Sequence, residues 1–325
     1  MAIKALRPTQ EGVVFLLAAC LFIGFALFLN NFLTVGNILA LVQSVSILGI
    51  LSLGMALVVI GRGIDLAMVA TMVVAVAWAM VLAQANIPLG GALLAGAIFV
   101  VTVGTVTGII VAYAEIPAIF TTLAMGAIVY GFGRTFFFQI DVQNSPSGYG
   151  WFDFLGHGTI FRVPAPVIAF GVVALLVFLV LKWTRFGRFV YATGDNPLTA
   201  RICGVPTRVL IVAQYIVSGL IAFLAGIVMA ANVSGMNTRI YNSTMIYDVL
   251  LVVVLGGIGL SGGRGGVRNV LVGTALVGIL LNGMTILNIG YTEQNLIKSM
   301  ILLGAIIIDT LINPRDEQTA QQGDI

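Results

Sequence analysis

The sequence contains little charge for its length. Only 8% of its 325 residues are charged and 60% are apolar, whereas about a quarter of an ordinary soluble domain is charged. So few charges cannot cover the surface of a soluble chain, but lipid solvates an apolar exterior as well as a protein core does. The net charge of +3 is small and scattered, so no nucleic-acid partner is expected. The composition predicts a membrane protein.

Residues that bind metals or perform catalysis are also scarce. The two cysteines, Cys20 and Cys203, and the one histidine, His157, can form neither a disulfide framework nor a Cys/His metal site. His157 follows Asp153 by four residues, but no nucleophile signature accompanies this pair. The sequence has no G-x-x-x-x-G-K-[ST] motif to hold phosphates. We therefore expect no enzymatic activity, no metal and no cofactor.

Long apolar runs dominate what is present. A membrane-spanning helix needs about 20 mostly apolar residues, and ten segments qualify: 13–31, 37–60, 66–84, 90–113, 118–138, 164–182, 209–231, 245–258, 266–287 and 294–313. The eighth is short and runs into GGIGLSGGRGG, which is too rich in glycine for a regular helix. The fold class predicted is an all-α polytopic bundle of about ten transmembrane helices. It forms a single domain over residues 1–325, with a cytoplasmic tail at 314–325.

The basic residues predict the orientation, because cytoplasmic loops retain lysine and arginine. If both termini are cytoplasmic, eleven basic residues lie inside and four, Arg134, Arg162, Arg239 and Lys298, lie outside. Both termini are therefore predicted to be cytoplasmic. LVVIGRGIDLAM at 57–68 also resembles LVVVLGGIGLSGG at 251–263, which suggests repeated halves at about 13–160 and 164–313. The span count puts both segments on the same face, as in a parallel repeat.

The inner segment RFGRFVYATGDNPLTARICGVPTRV contains a short helix with a signal at each end. Asn196 is a good N-cap and Pro197 suits the first turn. Gly204 suits the position after the helix, and Pro206 prevents its continuation. The rules predict a two-turn helix at about 197–203, with Leu198 and Ile202 on one face. It either docks into a partner or is a solvated basic loop near anionic lipid; the caps at both ends favour docking.

This segment resembles the cytoplasmic signature of ABC-importer permeases for ribose, xylose, arabinose and galactose. NILALVQSVSILGILSLGMALVVIGRGIDL at 37–66, IPAIFTTLAMGAIVYGFGR at 116–134 and LGGIGLSGGRGG are similar to other motifs of this family. The likeness implies an importer in the bacterial inner membrane. Two permease copies, alike or different, would bind two cytoplasmic ABC ATPase subunits and receive a monosaccharide from a periplasmic sugar-binding protein. LSGGR at 260–264 also resembles the signature of ABC ATPases, but here it is interpreted as a glycine turn.

The same resemblance implies which residues couple the permease to its ATPases. They are Arg185, Gly187, Arg188, Gly194, Asn196, Pro197, Ala200, Arg201 and Gly204. The chain departs from the family where Ala67, Met68 and Val69 replace the usual Ser-Val-Gly, and where MIYDVLLVVV replaces an acidic, alanine-rich stretch. These departures leave the cargo open.

Polar residues in or beside the apolar runs are candidates for the substrate pathway. Ionisable residues are costly in membrane spans, which draws attention to Asp65 and Asp248. Neutral side chains can replace the water that a sugar loses on entry: Gln43, Ser44, Ser46, Thr121, Thr122 and Asn282. Gly257, in the glycine segment, is included. Each of them can equally form an interhelical hydrogen bond or a structural anchor.

The prediction is the permease subunit of a binding-protein-dependent ABC importer, which moves a monosaccharide by alternating access. An ion-coupled secondary transporter, with Asp248 carrying the coupling, is the alternative from another class. A nucleoside, an autoinducer or a branched-chain amino acid remains possible as cargo.

Overall fold

A computed structural model describes residues 10–146 and 148–312. The predicted tail at 314–325 and the basic residues Lys4, Arg7 and Arg315 lie outside this part. The helices within it are α1 (Gln10–Phe28), α2 (Val35–Ile60), α3 (Met68–Gln84), α4 (Leu89–Tyr113), α5 (Ala118–Phe136), α6 (Gly150–His157), α7 (Ala165–Trp183), α8 (Arg185–Asp195), α9 (Pro197–Ile202), α10 (Thr207–Asn232), α11 (Met245–Leu255), α12 (Val267–Ile286) and α13 (Tyr291–Ile312).

Each of the ten predicted spans coincides with one helix. Among the described residues, α2, α4, α5, α7, α10 and α12 are long and apolar enough to cross a membrane. Shorter apolar helices are α3, α11 and the part of α1 from Gly12 to Phe28. The all-α polytopic prediction is confirmed. The eighth span ends at Leu255, and residues 256–266 are not helical, as their glycines predict.

Helix α2 lies at the centre of the bundle. It packs against α7, α10, α11 and α12, and nearly all its side chains from Val45 to Ile60 are buried. The neighbouring α4 packs on α10 at the Gly104–Gly108 pair, where a methyl group on Gly104 would lie 2.8 Å from Ile216 Cα. Small residues four apart allow this close approach. The core is therefore built around α2 and the α4–α10 pair.

The connections between helices gather at two ends of the bundle. At one end, short strands β1 (Val142–Asn144) and β4 (Gly235–Asn237) pair antiparallel, and β2 (Thr159–Ile160) and β3 (Val163–Pro164) form a hairpin. Arg134 and Arg239 both form salt bridges with Asp141 there. We call this the hairpin end. The other, the glycine end, carries residues 60–63, 193–196 and 256–266.

One helix at the glycine end was missed by the sequence analysis. Residues 185–195, treated there as part of a connection, form α8. Its N-cap is Thr184, whose Oγ1 accepts a hydrogen bond from the Gly187 N–H at 3.1 Å. The short helix after it is confirmed: α9 begins at Pro197, and the Asn196 side chain accepts from the Thr199 N–H at 2.9 Å. Gly204 follows it with φ of 83°, in the left-handed region.

Candidate transport pathway and coupling site

Three segments meet at the glycine end in what we call the glycine junction: residues 60–63, 193–196 and 256–266. The Gly263 N–H donates to the carbonyl oxygen of Ile60 at 2.8 Å. The Arg62 side chain donates from Nε to the Gly194 carbonyl at 2.6 Å and from Nη2 to the Asp195 carbonyl at 2.8 Å. The end of α2 is thus bonded both to the end of α8 and to the glycine segment.

The backbone at this junction adopts conformations that need glycine or a compensating bond. Gly257, Gly262, Gly263 and Gly265 all have φ between 74° and 98°, where glycine meets no Cβ penalty. Arg62 also has a positive φ, of 69°, although it is not glycine and the left-handed region costs such a residue about 1–2 kcal/mol. Its two side-chain hydrogen bonds offset that cost.

Helix α8 is also bonded to the glycine segment on a second side. The Tyr191 hydroxyl donates to the Gly265 carbonyl at 2.8 Å. A phenol with the ordinary pKa of about 10 is protonated at neutral pH, and burial raises the pKa of Tyr191 further. A methyl group at Gly194 would collide with the carbonyl oxygen of Ile60. The contact between α8 and α2 is therefore backbone against backbone.

Replacing Gly194 by alanine is expected to loosen this junction. Alanine suits a helix better than glycine does, yet its methyl group would overlap the Ile60 oxygen, and overpacking costs about 1–3 kcal/mol. We expect a lower melting temperature of the purified protein and reduced uptake in cells. The control is Gly171→Ala in α7, where no atom lies within 4 Å of the added carbon. If both variants melt alike, the close approach at Gly194 is not needed.

A cavity of about 920 Å³ occupies the half of the bundle toward the hairpin end. Its walls come from α2, α10, α11, α12, α13 and the β1–β4 pair, and its polar lining residues are Ser44, Asn144, Asn232, Asn237, Asp248, Asn282, Thr285 and Gln294. Along α2 the lining stops at Leu48. From Ile50 to Ile60 the side chains of α2 are packed against neighbouring helices. The cavity thus ends where this packed half begins.

One ion pair borders the cavity. Lys298 Nζ on α13 lies 2.7 Å from Oδ1 and 3.0 Å from Oδ2 of Asp248 on α11. The Lys298 residue is only 6% exposed, so the two charges neutralise each other in a largely buried place. Nearby, the Thr244 hydroxyl donates to Asn295 at 3.0 Å. These bonds connect α13 to α11.

The predicted pathway residues are only partly brought together. Ser44, Asp248 and Asn282 line the cavity. Gln43 donates to Asn232, which lines it. The others lie elsewhere: Ser46 is buried and bonds the Val42 carbonyl within α2, Thr121 and Thr122 are buried on α5, and Gly257 belongs to the glycine junction. They are not among the lining residues.

Asp65 is buried between α2 and α3, outside the cavity. Its carboxylate accepts hydrogen bonds from the Ser218 hydroxyl at 2.9 Å and from the backbone N–H groups of Ala67 and Met68. These bonds fix the 61–67 connection to the middle of α10. This geometry matches the structural role considered for Asp65.

The predicted coupling residues cluster around α8 and α9. Gly194 lies in the junction, Asn196 caps α9, and Ala200 is buried against the chain's own residues. A methyl group at Gly187 would collide with the Leu181 backbone, so Gly187 lets α8 turn back on α7. Arg185, Arg188 and Arg201 are exposed, while Pro197 starts the helix. The apolar side chains of Leu198 and Ile202 on α9 are exposed as well.

Sequence reasoning missed Lys298 and most of the asparagines in the cavity. Lys298 lies inside the last predicted span, where a single cation calls for a partner, and Asp248 was an available acid. That signal could have found the pair. The asparagines at 144, 232 and 237 lie in or beside connections, where such residues are ordinary, so nothing in the sequence marks them.

Comparisons with known proteins identify the class of protein to which this chain belongs. Residues 37–311 match the family described as branched-chain amino acid transport system / permease component, so the chain belongs to this family of transport permeases. It is 32% identical over 287 residues to the ribose import permease protein RbsC of Escherichia coli K12, which covers 86% of this chain and 87% of that protein. No solved structure matches.

Two further relatives have similar coverage. The L-arabinose transport system permease protein AraH of Escherichia coli K12 is 32% identical over 303 residues, covering 92% of this chain and 90% of that protein. RbsC of Bacillus subtilis is 28% identical over 279 residues, covering 86% of each. The resemblance to ABC-importer permeases is thereby confirmed.

Proposed function

We propose that this chain forms the membrane passage of an ABC importer for a monosaccharide and is driven through α9 by separate cytoplasmic ATPases. The observation that supports this proposal most directly is the glycine junction. Asp195 and Asn196 directly precede α9, and the carbonyl of Asp195 is held by Arg62 at the end of α2. Leu48, twelve residues before Ile60 at the end of α2, lines the cavity. A push on α9 therefore reaches the cavity wall through one hydrogen-bonded contact.

The mechanism proposed is alternating access. With the packed half of α2 closed, the cavity takes up cargo at the hairpin end. Closure of the ATPase pair displaces α9 and α8, and the Arg62 bonds pull the end of α2 while the Ile60–Gly263 bond pulls the glycine segment. The packed contacts of α2 with α10 and α11 then separate, and cargo leaves at the glycine end. Arg185, Arg188 and Arg201 would contact acidic groups of the ATPase.

The lining of the cavity suits a neutral sugar. Among the described residues its polar groups are amides, hydroxyls and one carboxylate that is already paired with a lysine. A free amino acid would bring two charges that need separate partners. Within the described part of the chain, the lining includes no aromatic ring on which a nucleobase could stack. The names of the ribose and arabinose permeases among its relatives support the same cargo.

We propose that the glycine end is cytoplasmic and that both termini of the chain are cytoplasmic too. The basic residues at this end include Lys182, Arg208, Arg264 and Arg268, in keeping with the retention of cations in cytoplasmic loops. The hairpin end would then face a periplasmic sugar-binding protein, and a second permease copy, identical or paralogous, would complete the pore in the inner membrane.

We further propose that the single domain of residues 1–325 contains two repeated halves, at about 13–160 and 164–313. The ends of α2 and α11 support this. At the end of α2, the N–H of Arg62, which has a positive φ, donates to the carbonyl three residues earlier, and the next N–H donates to the carbonyl of Val58, five residues earlier. The end of α11 has the same pattern: the N–H of Gly257, also with a positive φ, donates three residues back, and the next N–H donates to the carbonyl of Val253. Both helix ends belong to the glycine junction, as a parallel repeat requires.

The test is uptake by proteoliposomes. The chain reconstituted with an ATPase and a sugar-binding protein from its host should accumulate labelled D-ribose or L-arabinose only when ATP is present on the α9 side, and should not accumulate L-leucine. The chain alone should take up none of them under an imposed proton or sodium gradient. Gradient-driven uptake by the chain alone would establish the ion-coupled alternative and refute the proposal.

A further inference from the structure

Helix α6, at the hairpin end, is held in a fixed rotational position. Phe152 and Gly156, four residues apart on one face, are both buried. A methyl group on Gly156 would collide with the Ala231 carbonyl of α10, so the two backbones are in contact. The faces that α6 turns away from the protein are thereby defined.

Those remaining faces differ sharply in chemistry. Trp151 and Phe154, three residues apart, are neighbours on one side and are about half exposed. Asp153 and His157, four residues apart, are neighbours on another side and are also exposed. The helix therefore has a protein-facing side, an aromatic side and a charged side. Such a division suits a helix at a boundary between lipid and water.

The β2–β3 hairpin that follows carries an exposed aromatic ring at its tip. Phe161 is 97% exposed, and it has a φ of 51°, while the next residue, Arg162, has a φ of 68°. The left-handed region is uncommon for a bulky side chain such as phenylalanine. The turn places a ring and a guanidinium side by side in the open. From the hairpin the chain enters α7, a helix long and apolar enough to span a membrane, whose Val172, Leu175 and Leu176 are exposed.

We propose that Trp151, Phe154 and Phe161 lie in the headgroup boundary of the bilayer at the hairpin end, so that residues 150–163 form a membrane-surface anchor. Aromatic rings favour the level of the lipid headgroups, and Arg162 beside Phe161 can contact lipid phosphate. The anchor holds the end of α7, and through Gly156 the end of α10, at a set depth. The charged side of α6 faces water. This inference goes beyond the transport function and depends only on the chain's place in a membrane.

The test uses tryptophan fluorescence of the full chain in vesicles of phosphatidylcholine and phosphatidylglycerol that contain a lipid brominated near the headgroup end of its chains. The sequence has three tryptophans, so Trp78→Phe with Trp183→Phe leaves Trp151 alone. The matched control adds Trp151→Phe and His157→Trp, which moves the ring to the charged side of the same helix. We expect brominated lipid to quench Trp151 roughly two-fold more than the ring at position 157, and aqueous iodide to show the reverse order.

Iodide quenching of Trp151 without quenching by brominated lipid would place this face in water and overturn the proposal. Because Trp78 stacks on Phe137, a second measurement avoids changing it. Spin labels are placed at Phe161→Cys or Asp153→Cys in a chain with Cys20→Ala and Cys203→Ala. The label at 161 should collide more with oxygen than with a water-soluble nickel chelate, and the label at 153 the reverse. Equal accessibility at both sites would refute the anchor.

Discussion

Ile202→Glu is expected to reduce uptake by roughly 30-fold, the factor that corresponds to losing an apolar anchor worth about 2 kcal/mol at an interface. Ile202 on α9 is 86% exposed, so a carboxylate there should leave the fold intact. In contact with an ATPase it would be buried without a partner. The measurement is ATP-dependent uptake together with co-purification of the ATPase, which should be lost in parallel.

The control for this variant is Ile202→Leu, which keeps the apolar surface and should keep uptake near that of the parent. Membrane insertion and melting temperature should not change in either variant. Uptake that survives Ile202→Glu, with the ATPase still attached, would refute docking through this face. A bulky substitution at Ala200 is a poorer test, because Ala200 is buried within the chain itself and its loss of function could reflect misfolding.

Asp248→Ala is expected to abolish uptake and to lower the free energy of unfolding by about 3 kcal/mol, because it leaves the Lys298 cation buried without its partner. The melting temperature in detergent and sugar uptake in cells measure the two effects. Replacing Lys298 together with Asp248 should separate the effect on stability from the effect on uptake. The double variant Asp248→Leu with Lys298→Met replaces the ion pair by apolar groups of similar size, which is often neutral for stability.

We expect the double variant to regain stability and yet to remain inactive. This result would show that the pair serves the passage of cargo and does more than fasten α13 to α11. Normal transport by the double variant would show that the ion pair only holds α13 to α11 and that Asp248 does not act in the pathway. Proton-coupled uptake that disappears only with Asp248 would instead favour the ion-driven alternative.

The sequence predicts local structure well here because the signals are local. Asn196, Pro197 and Gly204 define α9 by capping chemistry alone, and the glycines of 256–266 predict the end of the eighth span. What it predicts poorly is which face of a span meets protein. In a soluble helix the apolar stripe marks the core, but α2 and α4 are apolar on all sides because lipid tolerates apolar groups as well as a core does. Only the structure shows that nearly all of the apolar stretch of α2 is buried, whereas only about a third of that of α4 is.

The pathway residues are hard to predict for the same reason: the sequence does not show which side chains face one another. Polar residues in spans were selected by type, so Ser46 was chosen although its hydroxyl bonds within its own helix. The partners of Asp248 and Gln43 are far along the chain, at Lys298 and Asn232, and no periodic pattern connects such positions. The glycine junction joins segments more than 60 residues apart through backbone carbonyls, which have no sequence signature at all.

The size of the cavity bears on where selectivity is exercised. At about 920 Å³, the cavity is near the upper end of the roughly 300–1,000 Å³ typical of pockets for drug-sized ligands, which are larger than a pentose. A sugar inside would keep much of its hydration and touch the walls at few points. We therefore expect free sugar to bind this chain only weakly, and the choice between one pentose and another to be made before the sugar arrives.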